Sequence, residues 1–88
     1  AGVFTKNRVK AAPVRLSMRR LARMKQCQAI IVNSGNANAC TGNRGTKDAR
    51  VMTALAARAL GIPETLTCVS STGIIGHSMP IDAITNAI

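Results

Sequence analysis

The sequence predicts an α/β fold, of which these 88 residues would form only a part. Apolar runs with β-branched residues alternate with stretches whose apolar residues recur at helical spacing, the order typical of strands joined by crossover helices in parallel sheets. A chain of this length buries only about 60–65% of the surface that its unfolded form exposes. The core must also be almost wholly aliphatic, since Phe4 is the single aromatic residue.

The first half of the chain predicts a strand, a helix, a second strand and a long loop. The segment Gly2–Thr5 is short and its residues are compatible with a β-strand, which predicts a brief strand. A one-sided apolar pattern predicts a helix from residue 14 to about residue 25. Ala29–Val32 is β-branched without alternation, which predicts a strand covered on both faces. The Gly- and Asn-rich stretch 33–45 predicts a loop with turns and positive φ angles.

The second half predicts a helix, a strand, a loop and a final helix. Thr46 is placed to cap a helix over residues 47–60. Leu66–Ser71 predicts the next strand and Thr72–Met79 a loop. Pro80 can open a third helix, whose apolar stripe consists of Ile81, Ile84 and Ile88. We expect one domain over residues 1–88 without an internal boundary, and we expect the natural protein to continue, because this helix has no stop signal.

The formal net charge of +9 suggests an anionic partner, but not a specific one. Ten of the twelve basic residues lie within residues 1–47, a composition that is shared with transit peptides. The regular strand and helix patterns in the same residues argue against a cleaved leader. One helix face carries a basic stripe, Arg15, Arg19 and Arg23. Nucleic-acid binding stays an alternative, disfavoured because one aromatic residue gives little base stacking. No apolar stretch is long enough to span a bilayer.

Most side chains that could perform catalysis are scattered. Cys27, Cys40 and Cys68 form no Cys-x-x-Cys pair, which favours reduced thiols in a cytosol-like compartment. His77 is the only histidine, and we expect it to be an ordinary surface or loop residue. The three acids fall in separate elements, so neither a carboxylate pair nor a metal site is predicted; they are Asp48, Glu64 and Asp82.

Two segments share a geometry that suits anions, since each follows a strand and precedes a helix. The first, Ser34–Gly45, lacks the glycine patterns of nucleotide cradles, and either a structural turn or a ligand loop fits it. The second, Ser70–Gly76, places the Thr72 hydroxyl beside the Gly73 amide. Two such donors could stabilise an oxyanion, as acyl transfer requires; a plain turn is the alternative, because hydroxyls often bond their own backbone there.

Three strings resemble the ornithine acetyltransferase family in sequence, order and spacing. They are Ala1–Val14, Ala29–Gly42 with its Asn-Ser-Gly-Asn-Ala-Asn-Ala motif, and Ser71–Gly76. The resemblance covers essentially the whole chain. It implies a layered α/β sandwich of self-processing type, in which the strands here pair with others outside the segment. The Arg15–Lys25 run is more basic than expected of the family, and His77-Ser78 is an unusual pair for its position.

The resemblance also implies a function: an arginine-biosynthesis enzyme that moves acetyl from N-acetylornithine to glutamate. The nucleophile would be a Thr that begins a second chain after self-cleavage, beyond Ile88, so no threonine here takes that role. Motif matching assigns the oxyanion hole to Thr72 and Gly73. No cofactor is implied beyond acetyl-CoA as a co-substrate of some members, and we expect a hetero-oligomer in the cytoplasm or, in a eukaryote, the mitochondrial matrix. A related self-processing amidase or aminopeptidase is the alternative within this enzyme class.

Overall fold

The computed structural model describes residues 1–88 as two parallel strands flanked by helices. In chain order the elements are α1 (Ala12–Met24), β1 (Ala29–Asn36), α2 (Gly42–Leu60), a 3-10 turn (Glu64–Leu66), β2 (Thr67–Ile74) and α3 (Ile81–Ala87). The strands pair in parallel, from Ala29 opposite Thr67 to Asn36 opposite Ile74, and α2 forms the crossover between them. The predicted α/β class and parallel order are confirmed. No helix has both the length and the apolar character needed to cross a membrane.

One face of this sheet packs against the helices. The core consists of six buried residues, Ala12, Leu16, Ala49, Met52, Val69 and Met79. Ile31 is partly buried against this cluster, whereas the neighbouring Ile30 and Val32 are 66% and 62% exposed. The expectation that Ala29–Val32 is covered on both faces is therefore wrong for this chain, because its helices lie against one side of the sheet.

The strands and the second helix are longer than predicted. β1 continues beyond Val32 to Asn36, and β2 continues beyond Ser71 to Ile74. These extensions are rich in Gly, Asn, Ser and Thr, and they are strands because each backbone pairs with the other; pairing outweighs their poor intrinsic β-propensity. α2 begins at Gly42, so the prediction that Thr46 caps it is wrong. The Thr46 hydroxyl instead donates to the Gly42 carbonyl, at 3.4 Å, one turn back.

The ends of the chain differ in how well they were predicted. The predicted strand Gly2–Thr5 is absent: no strand is available to pair with it, and Gly2 lies against the side chain of Leu21. α1 agrees closely with the prediction and ends at Met24, followed by Lys25, which has a left-handed φ of 57°. α3 also forms as predicted, with Asp82 in its first turn.

Candidate functional site

The two segments that the sequence singled out separately lie side by side. In the parallel register, Ser34 is opposite Thr72 and Gly35 is opposite Gly73. Both pairs lie at the carboxyl ends of their strands, the edge at which open α/β sheets bind ligands. The predicted loop Thr72–Met79 therefore begins three residues later, since the segment Thr72–Ile74 belongs to β2. The two candidate segments form one surface.

Thr72 lies on the face of the sheet away from the helices. Val69 packs into the helix-facing core, and side chains alternate between faces along a strand, so Thr72 points to the opposite side with Ser34 beside it. Both residues are exposed, and no hydrogen bond within the chain engages the Thr72 hydroxyl. The Thr72 hydroxyl is thus free to donate to a ligand. Sequence patterns named Ser34 only as the first residue of the candidate segment Ser34–Gly45, because only the register places it beside Thr72.

Gly73 occupies a position that only glycine fits. Its φ is +128°, in the region that side chains rarely adopt. A Cβ atom there would overlap the backbone of β1 at Gly35 and would lie 2.6 Å from the Asn36 nitrogen. The strands approach closely here because neither Gly35 nor Gly73 has a side chain. Glycine is therefore required by packing, whatever its role in binding.

The backbone amide of Gly73 points to the outer edge of β2. Leu66 and Ile74 direct their carbonyls toward β1, where they accept from Gln28 and Ala37 at 2.8 and 3.0 Å. Alternate residues of an extended strand face opposite edges, so the Thr72 carbonyl also faces β1. The Gly73 N–H belongs to the same planar trans peptide unit and therefore points the opposite way, to the outer edge. Val69 shows the same outward direction, since both of its backbone groups bond Ser17.

α1 covers the outer edge of β2 only at the start of the strand. The Ser17 hydroxyl donates to the Val69 carbonyl at 2.8 Å and accepts from the Val69 N–H at 3.0 Å. Arg20 donates to the Thr67 carbonyl and forms an ion pair with Glu64 at 2.7 Å. No strand lies beyond this edge. The N–H of Gly73 and the hydroxyl of Thr72 are consequently available near the end of β2 for an anionic group.

Asn36 fastens the loop that follows β2. Its side-chain amide donates to the carbonyls of His77 and Ser78, at 3.1 and 2.9 Å. Its side-chain oxygen accepts from the Asn38 N–H at 2.9 Å, and the Gly76 N–H donates to the Ala39 carbonyl at 2.8 Å. These bonds hold the two strand-end loops together, which fixes the surface around Thr72.

Asn38 holds the start of both long helices. It is fully buried, with a positive φ of 49°. Its side-chain amide donates to the Gly45 carbonyl at 2.8 Å, and its side-chain oxygen accepts from the Thr41 hydroxyl at 2.7 Å. Its backbone carbonyl accepts from the Ala12 N–H at 3.3 Å. The Asn-rich motif therefore acts here as a structural support, so its loop is at least in part the structural turn that the sequence left open.

The remaining candidate groups do not converge. Asp48 lies 3.9 Å from Arg44, Glu64 pairs with Arg20, and Asp82 is in α3. No hydrogen bond joins a hydroxyl or thiol to the His77 side chain, and no three His, Cys, Asp or Glu side chains form a group suited to a metal ion. The described site consequently offers hydrogen-bond donors, without a nucleophile attached to a base.

The three cysteines are free and differ in environment. Cys40 is exposed and Cys68 is buried. Burial raises the pKa of the Cys68 thiol, and the neighbouring Cys27 thiol raises it further. Cys68 is therefore held in its neutral, poorly nucleophilic form.

Comparison with known proteins gives one consistent result. The ArgJ family model matches residues 1–88. Proteins described as arginine biosynthesis bifunctional protein ArgJ are 54% identical in Syntrophotalea carbinolica and 51% identical in Geobacter sulfurreducens, each over all of this chain and 22% of its own length. The chain thus spans about a fifth of these curated relatives.

Two solved structures share the fold. The crystal structure of the arginine biosynthesis bifunctional protein argJ from Bacillus halodurans has a TM-score of 0.95 at 49% identity, covering 99% of this chain and 46% of that one. The ornithine acetyltransferase of Mycobacterium tuberculosis, solved in complex with ornithine, has a TM-score of 0.94 at 41% identity, covering 98% and 47%.

Proposed function

The chain belongs to the ArgJ family, and on this premise we propose that it carries the oxyanion-binding part of a glutamate N-acetyltransferase of arginine biosynthesis. The reaction moves an acetyl group from N-acetylornithine to glutamate through an acyl-threonine intermediate. The nucleophilic threonine lies outside residues 1–88. The chain's own contribution is a pair of donors, the Thr72 hydroxyl and the Gly73 N–H.

The observation that carries the proposal is the free donor pair at the carboxyl end of β2. When a nucleophile attacks the acetyl carbonyl, negative charge develops on the carbonyl oxygen. Donors fixed before the reaction stabilise that charge without having to reorganise. Gly73 is fixed by close packing against β1, and Thr72 precedes it on the same paired strand. One such donor is worth about 2.7–4 kcal/mol in the transition state.

The absence of a nucleophile and base pair within these residues agrees with a nucleophile supplied from elsewhere. We propose that it is the N-terminal Thr of a second chain, produced by self-cleavage of a common precursor. The chain covers 22% of the curated relatives but 46% of the crystallised Bacillus halodurans chain, so that polypeptide is roughly half as long as those relatives. Half-length chains are expected when one precursor is cut into two.

The proposal extends to the setting of the enzyme. The two chains would assemble as a hetero-oligomer in the cytoplasm, or in the mitochondrial matrix of a eukaryote. N-acetylornithine and glutamate are the substrates, and acetyl-CoA is included as an alternative acetyl donor to be assayed. Arginine biosynthesis and acetyl transfer are supported by the ArgJ relatives and by the ornithine acetyltransferase of Mycobacterium tuberculosis, which was crystallised with ornithine.

The test is substitution of Thr72 in the full natural protein. Thr72→Ala should lower kcat for ornithine release from N-acetylornithine by about 10²–10³-fold, with KM changed much less, because the donor acts mainly in the transition state. Thr72→Ser retains the hydroxyl and should retain most of the activity. Thr46→Ala is the matched control, since the Thr46 hydroxyl bonds only its own helix.

Two outcomes would contradict separate parts of the proposal. Full kcat in Thr72→Ala would remove this residue from the oxyanion hole. A wild-type protein that hydrolyses amides or peptides but transfers no acetyl group to glutamate would be an amidase or aminopeptidase instead.

A further inference from the structure

A basic groove lies between α1 and α2, apart from the strand ends. It encloses about 650 Å³ and reaches the 3-10 turn. Its lining carries five basic side chains and one acidic side chain, namely Arg19, Arg20, Arg23, Lys47, Arg50 and Glu64. None of the residues Ser71–Ile74 contributes to it, so the groove is distinct from the proposed oxyanion site.

Only one of the five cations is neutralised within the chain. Arg20 pairs with Glu64 at 2.7 Å and donates to a β2 carbonyl. The only other ion pair of the chain joins Arg44 to Asp48, outside the groove. Four exposed cationic side chains therefore share one groove without an ion-pair partner in the chain.

The helical repeat produces this concentration of charge. Arg19 and Arg23 are four residues apart on α1, and Lys47 and Arg50 are three residues apart on α2. Residues at these spacings lie on one face of a helix. Packing of α1 beside α2 brings the two faces to the same groove. Like charges at such spacing repel each other, and a bound anion would remove the repulsion.

We propose that this groove binds a small anion that carries a diphosphate or longer polyphosphate group. The volume lies in the range of small-molecule sites, about 300–1,000 Å³. Arginine guanidinium groups present paired donors that match phosphate oxygens. Apolar side chains in the lining, Leu16 and Val51 among them, exclude some water and strengthen the attraction.

A small polyphosphate fits the groove better than a nucleic acid does. Single-stranded nucleic acids are held largely by bases stacked on aromatic side chains. The only aromatic residue, Phe4, lies in a different cavity. The groove thus offers strong phosphate contacts and no stacking platform.

The test is calorimetric titration of pyrophosphate into the full natural protein at low ionic strength. The variant Arg23→Gln with Arg50→Gln removes one cation from each helix and should weaken binding about tenfold or more. The matched control is Arg8→Gln with Arg58→Gln, which removes the same charge outside the groove and should change affinity less than about twofold. Circular dichroism should show both variants folded, since all four side chains are exposed.

Three results would overturn the assignment. They are no pyrophosphate binding at low salt, equal weakening in the two double variants, or groove-dependent binding of an RNA oligonucleotide without pyrophosphate binding. A single Lys47→Gln variant gives an independent reading and should weaken binding severalfold. Thr72 is outside the groove, so acetyl transfer by the groove variants is measured in a separate assay. Loss or retention of acetyl transfer bears only on the enzymatic proposal, whereas pyrophosphate binding alone tests the groove.

Discussion

Asn38 should contribute more to folding than any other residue of the Asn-rich motif. Its buried side chain connects the Gly45 carbonyl and the Thr41 hydroxyl, through bonds of 2.8 and 2.7 Å. Asn38→Ala deletes both bonds, each worth about 1 kcal/mol net. Loss of this partner for the Gly45 carbonyl costs about 1–3 kcal/mol of stability. Placing alanine at a positive φ costs about 1 kcal/mol more. The expected loss is about 4–6 kcal/mol, the sum of these costs.

The assay is urea denaturation of the full natural protein, followed by circular dichroism. Asn38→Asp sharpens the test: the aspartate is similar in size, but it presents an oxygen rather than an N–H to the Gly45 carbonyl. It should destabilise the protein at least as much as Asn38→Ala, since one buried carboxylate oxygen then faces the Gly45 carbonyl without a donor. Asn43→Ala is the matched control, because Asn43 is exposed on α2 and its side chain forms no hydrogen bond in the chain.

The reasoning fails if Asn38→Ala unfolds within about 0.5 kcal/mol of Asn43→Ala, the usual range for surface substitutions. It also fails if Asn38→Asp is as stable as the wild type at neutral pH. Either result would mean that the start of α2 is held by its own backbone bonds rather than by Asn38.

Three other predictions concern buried groups. Ser17→Ala should cost about 2–3 kcal/mol in urea denaturation, because it leaves both backbone groups of buried Val69 without their partner; exposed Ser70→Ala is the control, and equal stability of the two variants would refute the expectation. In alkylation followed by mass spectrometry, exposed Cys40 should react first and Cys68 last. The pKa of Cys68 is raised in the folded state, so the stability that the neutral thiol contributes is present below the ordinary thiol pKa and is lost as pH rises through the folded value. The measurement is the difference in free energy of unfolding between the wild type and Cys68→Ala as a function of pH. A difference that grows in favour of the wild type at alkaline pH would contradict this.

Sequence patterns were reliable where local physics decides the structure. The apolar spacing of α1 and α3 predicted both helices, although α1 starts two residues earlier than predicted, since one-sided spacing follows from the helical repeat. Prediction failed for Gly2–Thr5, whose composition suits a strand, because a strand also needs a neighbour to pair with. It failed again at Thr46, because α2 starts one turn earlier, where the Asn38 side chain bonds Thr41 and the Gly45 carbonyl.

The candidate site shows the same division. Its composition singled out Thr72 and Gly73 as neighbouring donors, and the resemblance assigned them a role that remains a proposal. Composition could not place Ser34 beside Thr72, or show Gly73 in contact with Gly35. These contacts join residues 38 positions apart, and no local pattern specifies such a register.

The sequence by itself determined the α/β class, the order of the main helices and strands, and the family, because periodicity and motifs are local properties of the chain. Only the tertiary structure decided that two separate polar segments become paired strands with one common edge, and that basic residues from two helices line one groove. The physical reason is that both features depend on packing between distant segments: backbone pairing turns weak β-formers into strands, and helix packing concentrates charges that are remote in sequence.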